Sequence, residues 1–378
     1  MNVTFTGGGT GGHLYPAISI ADALVAQAHE RNESLRVTFI GASDRLEAQI
    51  IPAAGYDLQC VPAQPFSGGN ALRRIAAAGV NVTGMLMAAR LLISRRPDLI
   101  IASGGYVCFP VMLAARFLRA VRVLDAPLVL LEINARPGLT NRTLAPLVDE
   151  VWGAFPAAGQ YFGRKYHQTG IPVRPSLRTL PDRADAARWL GLDPARKTIL
   201  FMGGSQGARS INEAVAALVT RRALPANWQV LHISGRRDYD YMKAEQSQLH
   251  PGNTVVLLPY LDDLSEAYAA SDLIVARSGA STLGELATLA LPSILIPYPH
   301  AAQDHQRVNA QVFADAGAAM ILEDKNLNGD ALWWTLRSAL EPQNYDRMQS
   351  AARSLARADA TGAILQRTAS LLKRKTAA

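Results

Sequence analysis

Short apolar runs alternate along this chain with longer stretches in which apolar residues recur every third or fourth position, the alternation of buried strand and one-sided helix. In the first half, the runs at Asn2–Thr6, Arg36–Ile40, Asp98–Ala102, Pro127–Leu131 and Glu150–Trp152 predict strands. In the second half, the runs at Thr198–Met202, Gln229–Ser234, Thr254–Leu258, Asp272–Ala276 and Ser293–Pro297 do the same, with a turn at Asn326–Gly329. Strands separated by helix-length segments point to crossover connections, so the expected class is α/β, with two doubly wound parallel sheets. Between the halves, TGIPVRPSLRTLP at Thr169–Pro181 is proline-rich and aperiodic and reads as a linker. The tail, Tyr345–Lys375, is helical in pattern with a break near Asp359–Gly362.

Each half contains a strand that stops on glycines and restarts as a helix. FMGGSQGAR, Phe201–Arg209, is one; GGGTGGH, Gly7–His13, with Pro16 in the first helical turn, is the other. Such a turn brings backbone N–H groups and the positive end of a helix dipole to one point, where an anion can sit. No Lys follows as in a P-loop and the spacing is not G-x-G-x-x-G, so the ligand has to be read from other residues. In sheets of this kind ligands gather at the carboxyl ends of strands, and a cleft between the halves is the expected active site.

Composition narrows the class. A chain of 378 residues exceeds the usual size of one core, and 49% hydrophobic against 18% charged residues excludes a disordered protein. The two cysteines, Cys60 and Cys108, make no disulfide framework or metal spacing and read as small core residues in a reducing compartment. No leader pattern opens the sequence, and no uninterrupted apolar run reaches the ~20 residues of a bilayer span. An intracellular protein that is not integral to a membrane is expected. The net charge of +7 is concentrated between Leu72 and Arg122, where Arg73, Arg74, Arg90, Arg95, Arg96, Arg116, Arg119 and Arg122 face only Asp98. Leu72, Ile75, Val80, Met85, Leu86, Leu91, Leu92 and Ile93 are interleaved. The pattern fits amphipathic helices resting on anionic lipid, and equally the core faces of two ordinary helices. Without interleaved aromatics or a reader motif, nucleic acid is not an expected partner.

In the second half, Arg277–Glu285, RSGASTLGE, supplies another strand-to-helix turn, and Thr282, Glu285 and Leu289 share a helical face. Glu285 suits ribose hydroxyls, or else simply complements the helix dipole. PYPHAAQDHQRVNA, Pro297–Ala310, offers His300, Gln303, Asp304, His305, Gln306 and Asn309 to sugar hydroxyls. His300 and His305 do not share a helical face, which disfavours zinc, and no metal or other cofactor is expected.

GGTGGH at Gly8–His13, SGGY at Ser103–Tyr106, PGLTNR at Pro137–Arg142, GGSQGAR at Gly203–Arg209, RSGASTLGE at Arg277–Glu285 and DHQRVNA at Asp304–Ala310 follow one another in this order. With them, nearly the whole chain resembles the MurG family of glycosyltransferases. These move N-acetylglucosamine from UDP-N-acetylglucosamine to lipid I, the undecaprenyl-diphosphate-linked muramoyl pentapeptide, giving lipid II for peptidoglycan. The resemblance implies a GT-B fold and an inverting, metal-independent transfer. It also implies an acceptor domain over residues 1–173, joined by the terminal helix 345–378, and a donor domain over 174–344. Ser205 and Gln206 would hold the UDP diphosphate, with Arg174 assisting from the linker and the uracil near Tyr260–Leu264. Glu285 would hold the ribose, and His305, Gln306 and Asn309 the sugar. Thr10, Gly11, Gly12 and His13, with Gly104, Gly105, Tyr106 and Asn134, would face the acceptor diphosphate. The implied partners are both substrates, the anionic inner leaflet of the bacterial cell membrane, which would hold the protein peripherally at its cytoplasmic face, and other cell-wall synthesis proteins.

Inverting transfer needs a base for the attacking 4-hydroxyl of the muramoyl sugar. His13 is the first candidate on its ordinary pKa of about 6.5, with a diphosphate-binding role as its alternative. Glu132 and Asp304 are the other candidate bases. Where the family usually reads His-Glu-Gln-Asn, this chain has Leu131, Glu132, Ile133 and Asn134. Two aliphatic side chains there suggest altered acceptor positioning, and with it a catalytically impaired nucleotide-sugar-binding scaffold or a transferase using another lipid acceptor.

Overall fold

The computed structural model describes residues 1–9, 11–43, 46–65, 71–204, 207–355 and 359–377, with backbone alone at 71–74 and 374–377. The chain divides into two compact units, Met1–Val173 with Asp359–Ala378, and Arg174–Ala358.

The first unit is a parallel sheet of seven strands: β1 (Asn2–Thr6), β2 (Arg36–Gly41), β3 (Asp57–Cys60), β4 (Leu99–Ala102), β5 (Leu128–Glu132), β6 (Glu150–Gly153) and β7 (Tyr166–Gln168). Their order is β3-β2-β1-β4-β5-β6-β7, so the winding reverses between β1 and β4. Central strands are apolar on both faces because helices cover both: β4 and β5 are buried at every position, and Phe5 pairs in register with Phe39 and Ile101. The Phe5 and Phe39 rings stack with centroids 5.0 Å apart.

The second unit repeats the plan with β8 (Lys197–Met202), β9 (Trp228–Ile233), β10 (Val255–Leu258), β11 (Leu273–Ala276), β12 (Ser293–Leu295) and β13 (Ala319–Ile321), ordered β10-β9-β8-β11-β12-β13. Here the reversal lies between β8 and β11. The strands absent from the sequence reading, β3, β7 and β13, are all edge strands. Their neighbours cover one side only, so DLQC and YHQ carry no sustained apolar run, while the three residues of AMI lie in an apolar stretch too short to set strand apart from helix end. Cys60 ends one of these edges and is exposed, not a core residue, whereas Cys108 is buried.

The tail divides between the units, although the resemblance assigns all of 345–378 to the first. One helix, α14 (Pro342–Leu355), packs Tyr345 and Met348 into the second core, with Tyr345 edge-on to Trp228. The last helix, α15 (Ala360–Ala377), buries Ile364 and Leu371 in the first unit. Its Arg367 pairs with the buried Glu150 of β6, which also accepts from Trp152 Nε1 at 2.9 Å, and donates to His167 Nε2 at 2.9 Å.

The arginine-rich segment forms α3 (Ala71–Arg95) and α4 (Cys108–Ala120), packed on each other. Ala77, Ala88 and Leu92 of α3 are buried, but Ile75, Val82, Leu86 and Ile93 are exposed. Those four recur at spacings that place them on one helical face, with the exposed Arg90 among them. Phe117, Val121 and Val123 are exposed beside Arg116 and Arg122. Ile75–Arg95 is long and apolar enough to cross a membrane by length and composition, with 28% of its most apolar stretch buried, although Asn81, Thr83 and Arg90 interrupt the apolar run.

Candidate functional site

Both reversal points coincide with the glycine turns. In the first unit the turn after β1 lies against the turn after β4: Gly8 N–H donates to Gly104 O at 3.3 Å, and Ser103 N–H to Thr6 O at 2.8 Å. The first helix, α1 (Gly11–Glu30), starts at this point, and its His13 is half-buried with Nδ1 2.9 Å from Ser103 O. A carbonyl only accepts, so Nδ1 carries the hydrogen and Nε2 is the basic nitrogen of the ring. Gly104, Gly105 and Tyr106 fold beside it, with Tyr106 half-buried. Not all N–H groups of the first turn face an incoming anion. That of Gly8 is held by Gly104 O, and that of Gly9 by the buried Glu47 at 3.1 Å. Gly11 and Gly12 open α1, while Thr10 lies outside the described residues.

Glu132, at the end of β5, is 1% exposed. Its carboxylate accepts from Asn134 N–H (2.9 Å) and Nδ2 (3.2 Å), Gly138 N–H (3.3 Å) and Asn141 Nδ2 (2.9 Å). Burial pushes its pKa up to about 7 against those donors, which favour the charged form. This carboxyl organises the Asn134–Asn141 segment and is turned away from solvent. Leu131 and Ile133, 1% and 3% exposed, pack into the same interior, so their aliphatic character fills core space. Ile133→Ala is therefore expected to lower stability by about 2–4 kcal/mol, read as a lower thermal midpoint; an unchanged midpoint would place Ile133 on the surface.

In the second unit the turn after β8 leads into α8 (Arg209–Arg221). Ser205 and Gln206 lie outside the described residues. Gly207, at φ 72°, brings its Cα so near the end of β9 that an added Cβ would lie 2.4 Å from Ser234 O. Beneath it, His232 is buried between Asn212 Oδ1 (3.0 Å) and Gln246 Nε2 (2.8 Å), and burial pulls its pKa down to about 3, so it is neutral.

The turn after β11 opens α11 (Ala280–Leu289). Its Glu285 is buried, accepts from Tyr268 OH at 2.7 Å and lies 3.7 Å from Arg174 Nη2. Arg174 also donates to Asp262 O at 2.9 Å, which ties the start of this unit to the Tyr260–Leu264 segment. Burial raises the Glu285 pKa, with the Tyr268 hydrogen bond and Arg174 pulling down and Asp263 pushing up. Tyr268 left no sequence signal because it is an ordinary-looking helix residue. Arg277, read only as the first letter of a motif, knots the rim together through Ile296 O, Pro297 O, Ser210 Oγ and Asp324.

The Pro297–Ala310 set is held in an uncommon shape. Gln303 and Asp304, both exposed, have φ of 54° and 56°, left-handed values that cost non-glycine residues about 1–2 kcal/mol each. They lead into α12 (His305–Asp315). His305 Nδ1 donates to Ala302 O at 2.8 Å, Gln306 accepts from Tyr298 N–H through Oε1 and from Ser278 Oγ through its backbone oxygen, and Asn309 is fully buried.

Residues 3–152 match the glycosyltransferase family 28 N-terminal domain and residues 198–364 the family 28 C-terminal domain. The UDP-N-acetylglucosamine--N-acetylmuramyl-(pentapeptide) pyrophosphoryl-undecaprenol N-acetylglucosamine transferase of Moorella thermoacetica is 39% identical over 373 residues, 97% of this chain and 98% of that protein. The enzyme of the same name from Desulforamulus reducens is 35% identical over 385 residues, 99% of this chain and all of that one. Among solved structures, Acinetobacter baumannii MurG superposes with a TM-score of 0.77 at 26% identity, covering 99% of both chains. The calicheamicin glycosyltransferase CalG4 shares the fold, with a TM-score of 0.67 at 16% identity, covering 99% of this chain and 98% of that one.

Proposed function

Since the chain belongs to glycosyltransferase family 28, and within it to the MurG group with its GT-B architecture, we infer that it moves N-acetylglucosamine from UDP-N-acetylglucosamine to the undecaprenyl-diphosphate-linked muramoyl pentapeptide. The observation that carries this reading is the 35–39% identity to transferases of that name along nearly the whole length of both chains. The paired glycine turns at the two sheet reversals give it a physical basis.

The first unit takes the acceptor and the second the donor. His13 Nε2 accepts the proton of the muramoyl 4-hydroxyl as its oxygen bonds to C1 of N-acetylglucosamine, and UDP departs from the opposite face with inversion. Of the other two candidate bases, Glu132 is surrounded by its own donors and Asp304 stands in the second unit. Charge developing on the departing diphosphate is met by the start of α8, an electrostatic role needing no proton transfer. Glu285 accepts from the ribose hydroxyls, and His305, Gln306 and Asn309 shape the sugar subsite. Incubation with UDP-N-acetylglucosamine and a lipid I analogue should release UDP. Folded protein that binds the donor without turnover overturns the reading.

The exposed apolar stripe of α3, with Arg90, Arg116 and Arg122 exposed nearby in sequence, is read as a surface for anionic lipid, holding the enzyme peripherally on the cytoplasmic face of the cell membrane. The double variant Leu86→Glu/Ile93→Glu is expected to weaken co-sedimentation with phosphatidylglycerol vesicles by about tenfold or more. Unaltered co-sedimentation would move the lipid surface elsewhere.

A further inference from the structure

Glu47 opens α2 (Glu47–Ala53), the helix after β2, and its side chain is fully buried. Its oxygens are shared between two turns: Oε2 accepts from Gly9 N–H at 3.1 Å and Oε1 from Ala42 N–H at 3.2 Å. A carboxylate removed from water is tolerable only when hydrogen-bonded in this way, and its two bonds join the exit of β1 to the exit of β2. The group lies directly behind the first glycine turn. A Cβ added to Gly8 would stand 2.2 Å from Oε1, and its three nearest neighbours would all be Glu47 atoms. Gly8 is not among the glycines with positive φ, so what excludes a side chain there is this carboxylate. The same turn is held from its other side by Gly104 O, the neighbour of the Ser103 carbonyl that orients His13.

We propose that Glu47 is a positioning residue for the acceptor half of the reaction. It acts without touching substrate, by fixing the Gly7–Gly9 turn and with it the start of α1 that carries His13. The inference rests on the reading above that this turn faces the lipid-linked acceptor. It also explains an inward-facing negative charge behind a turn that serves an anionic ligand. The charge is absorbed by two N–H groups, and it sets the shape of the turn while the start of α1 is left to face the diphosphate.

The test is steady-state transfer with UDP-N-acetylglucosamine and a lipid I analogue, comparing wild type with Glu47→Gln and Glu47→Ala. In Glu47→Gln an amide N–H₂ meets one of the two backbone donors, so the turn loses one charge-assisted bond and gains a repulsive contact. Acceptor kcat/KM should fall about 10- to 100-fold, through a lower kcat together with a higher acceptor KM, with donor KM within about twofold. Donor and acceptor parameters that worsen together, or not at all, overturn the proposal. A second measurement does not depend on either variant being active. Gly8→Ala should lower the thermal midpoint in the wild-type background and cost little more once Glu47→Ala has removed the colliding carboxylate, a non-additivity expected only of groups in contact. Additive shifts overturn the proposal. Wild-type protein that folds but does not transfer contradicts the functional reading instead, and the unfolding cycle then decides whether Glu47 sets the turn.

Discussion

Replacing His13 by alanine lowers kcat by about 10²- to 10⁴-fold, the usual contribution of a positioned general base. Donor KM should stay within about twofold, because the nucleotide sugar is held by the other unit. The expectation rests on the tautomer: Ser103 O accepts from Nδ1, so Nε2 is fixed as the nitrogen that can take a proton. Loss confined to acceptor KM, with kcat intact, would make His13 a diphosphate ligand and leave the base unassigned.

Glu285→Ala raises donor KM about 10- to 100-fold, the effect of removing charge-assisted hydrogen bonds to the ribose, and changes kcat far less. Because burial raises its pKa, Glu285 protonates at a higher pH than an ordinary carboxyl. Its acceptor-only form is thus lost as pH falls, and wild-type donor KM should worsen toward acid pH. Tyr268, Arg174 and Asp263 are the charged and titratable groups that face it, and the first two hold it ionised. Donors lacking a ribose hydroxyl provide the second arm: wild type should discriminate against them and Glu285→Ala should not. Equal discrimination by both proteins would remove the ribose from Glu285.

Most of the doubly wound plan was legible because the central strands are covered on both faces and so must be apolar throughout. The two glycine turns were legible as well, since a strand that must turn sharply into a helix announces itself in glycine, but their place at the reversals of strand order was not. What escaped shares a physical reason. Edge strands such as β7 need only three paired residues and one apolar side, which composition does not mark. Supporting groups were equally silent: Glu47 appears in the sequence as one more acid at a helix start, and Tyr268 as one more aromatic. Their roles come from chain crossings that bring residue 47 beneath residue 8 and residue 268 against residue 285. Leu131 and Ile133 taught the opposite lesson. An aliphatic pair stands in a polar-looking motif, and its burial, which no residue type announces by itself, gives both side chains a packing role beside any effect on the acceptor.

The pairing of Glu150 with Arg367 also sets an order of events at the ribosome. Everything else in the first unit has been synthesised by Val173, but its final helix is encoded beyond the whole of the second. At roughly 5–20 residues per second, translation of the intervening segment takes about 10–40 s. Through that interval the nascent first unit lacks the cation for Glu150 and the cover supplied by Ile364 and Leu371, so it emerges as an unfinished body for chaperones to shield. Termination before Leu371 would remove part of that cover, and termination before Arg367 would strand the carboxylate of Glu150, 217 positions earlier in the chain.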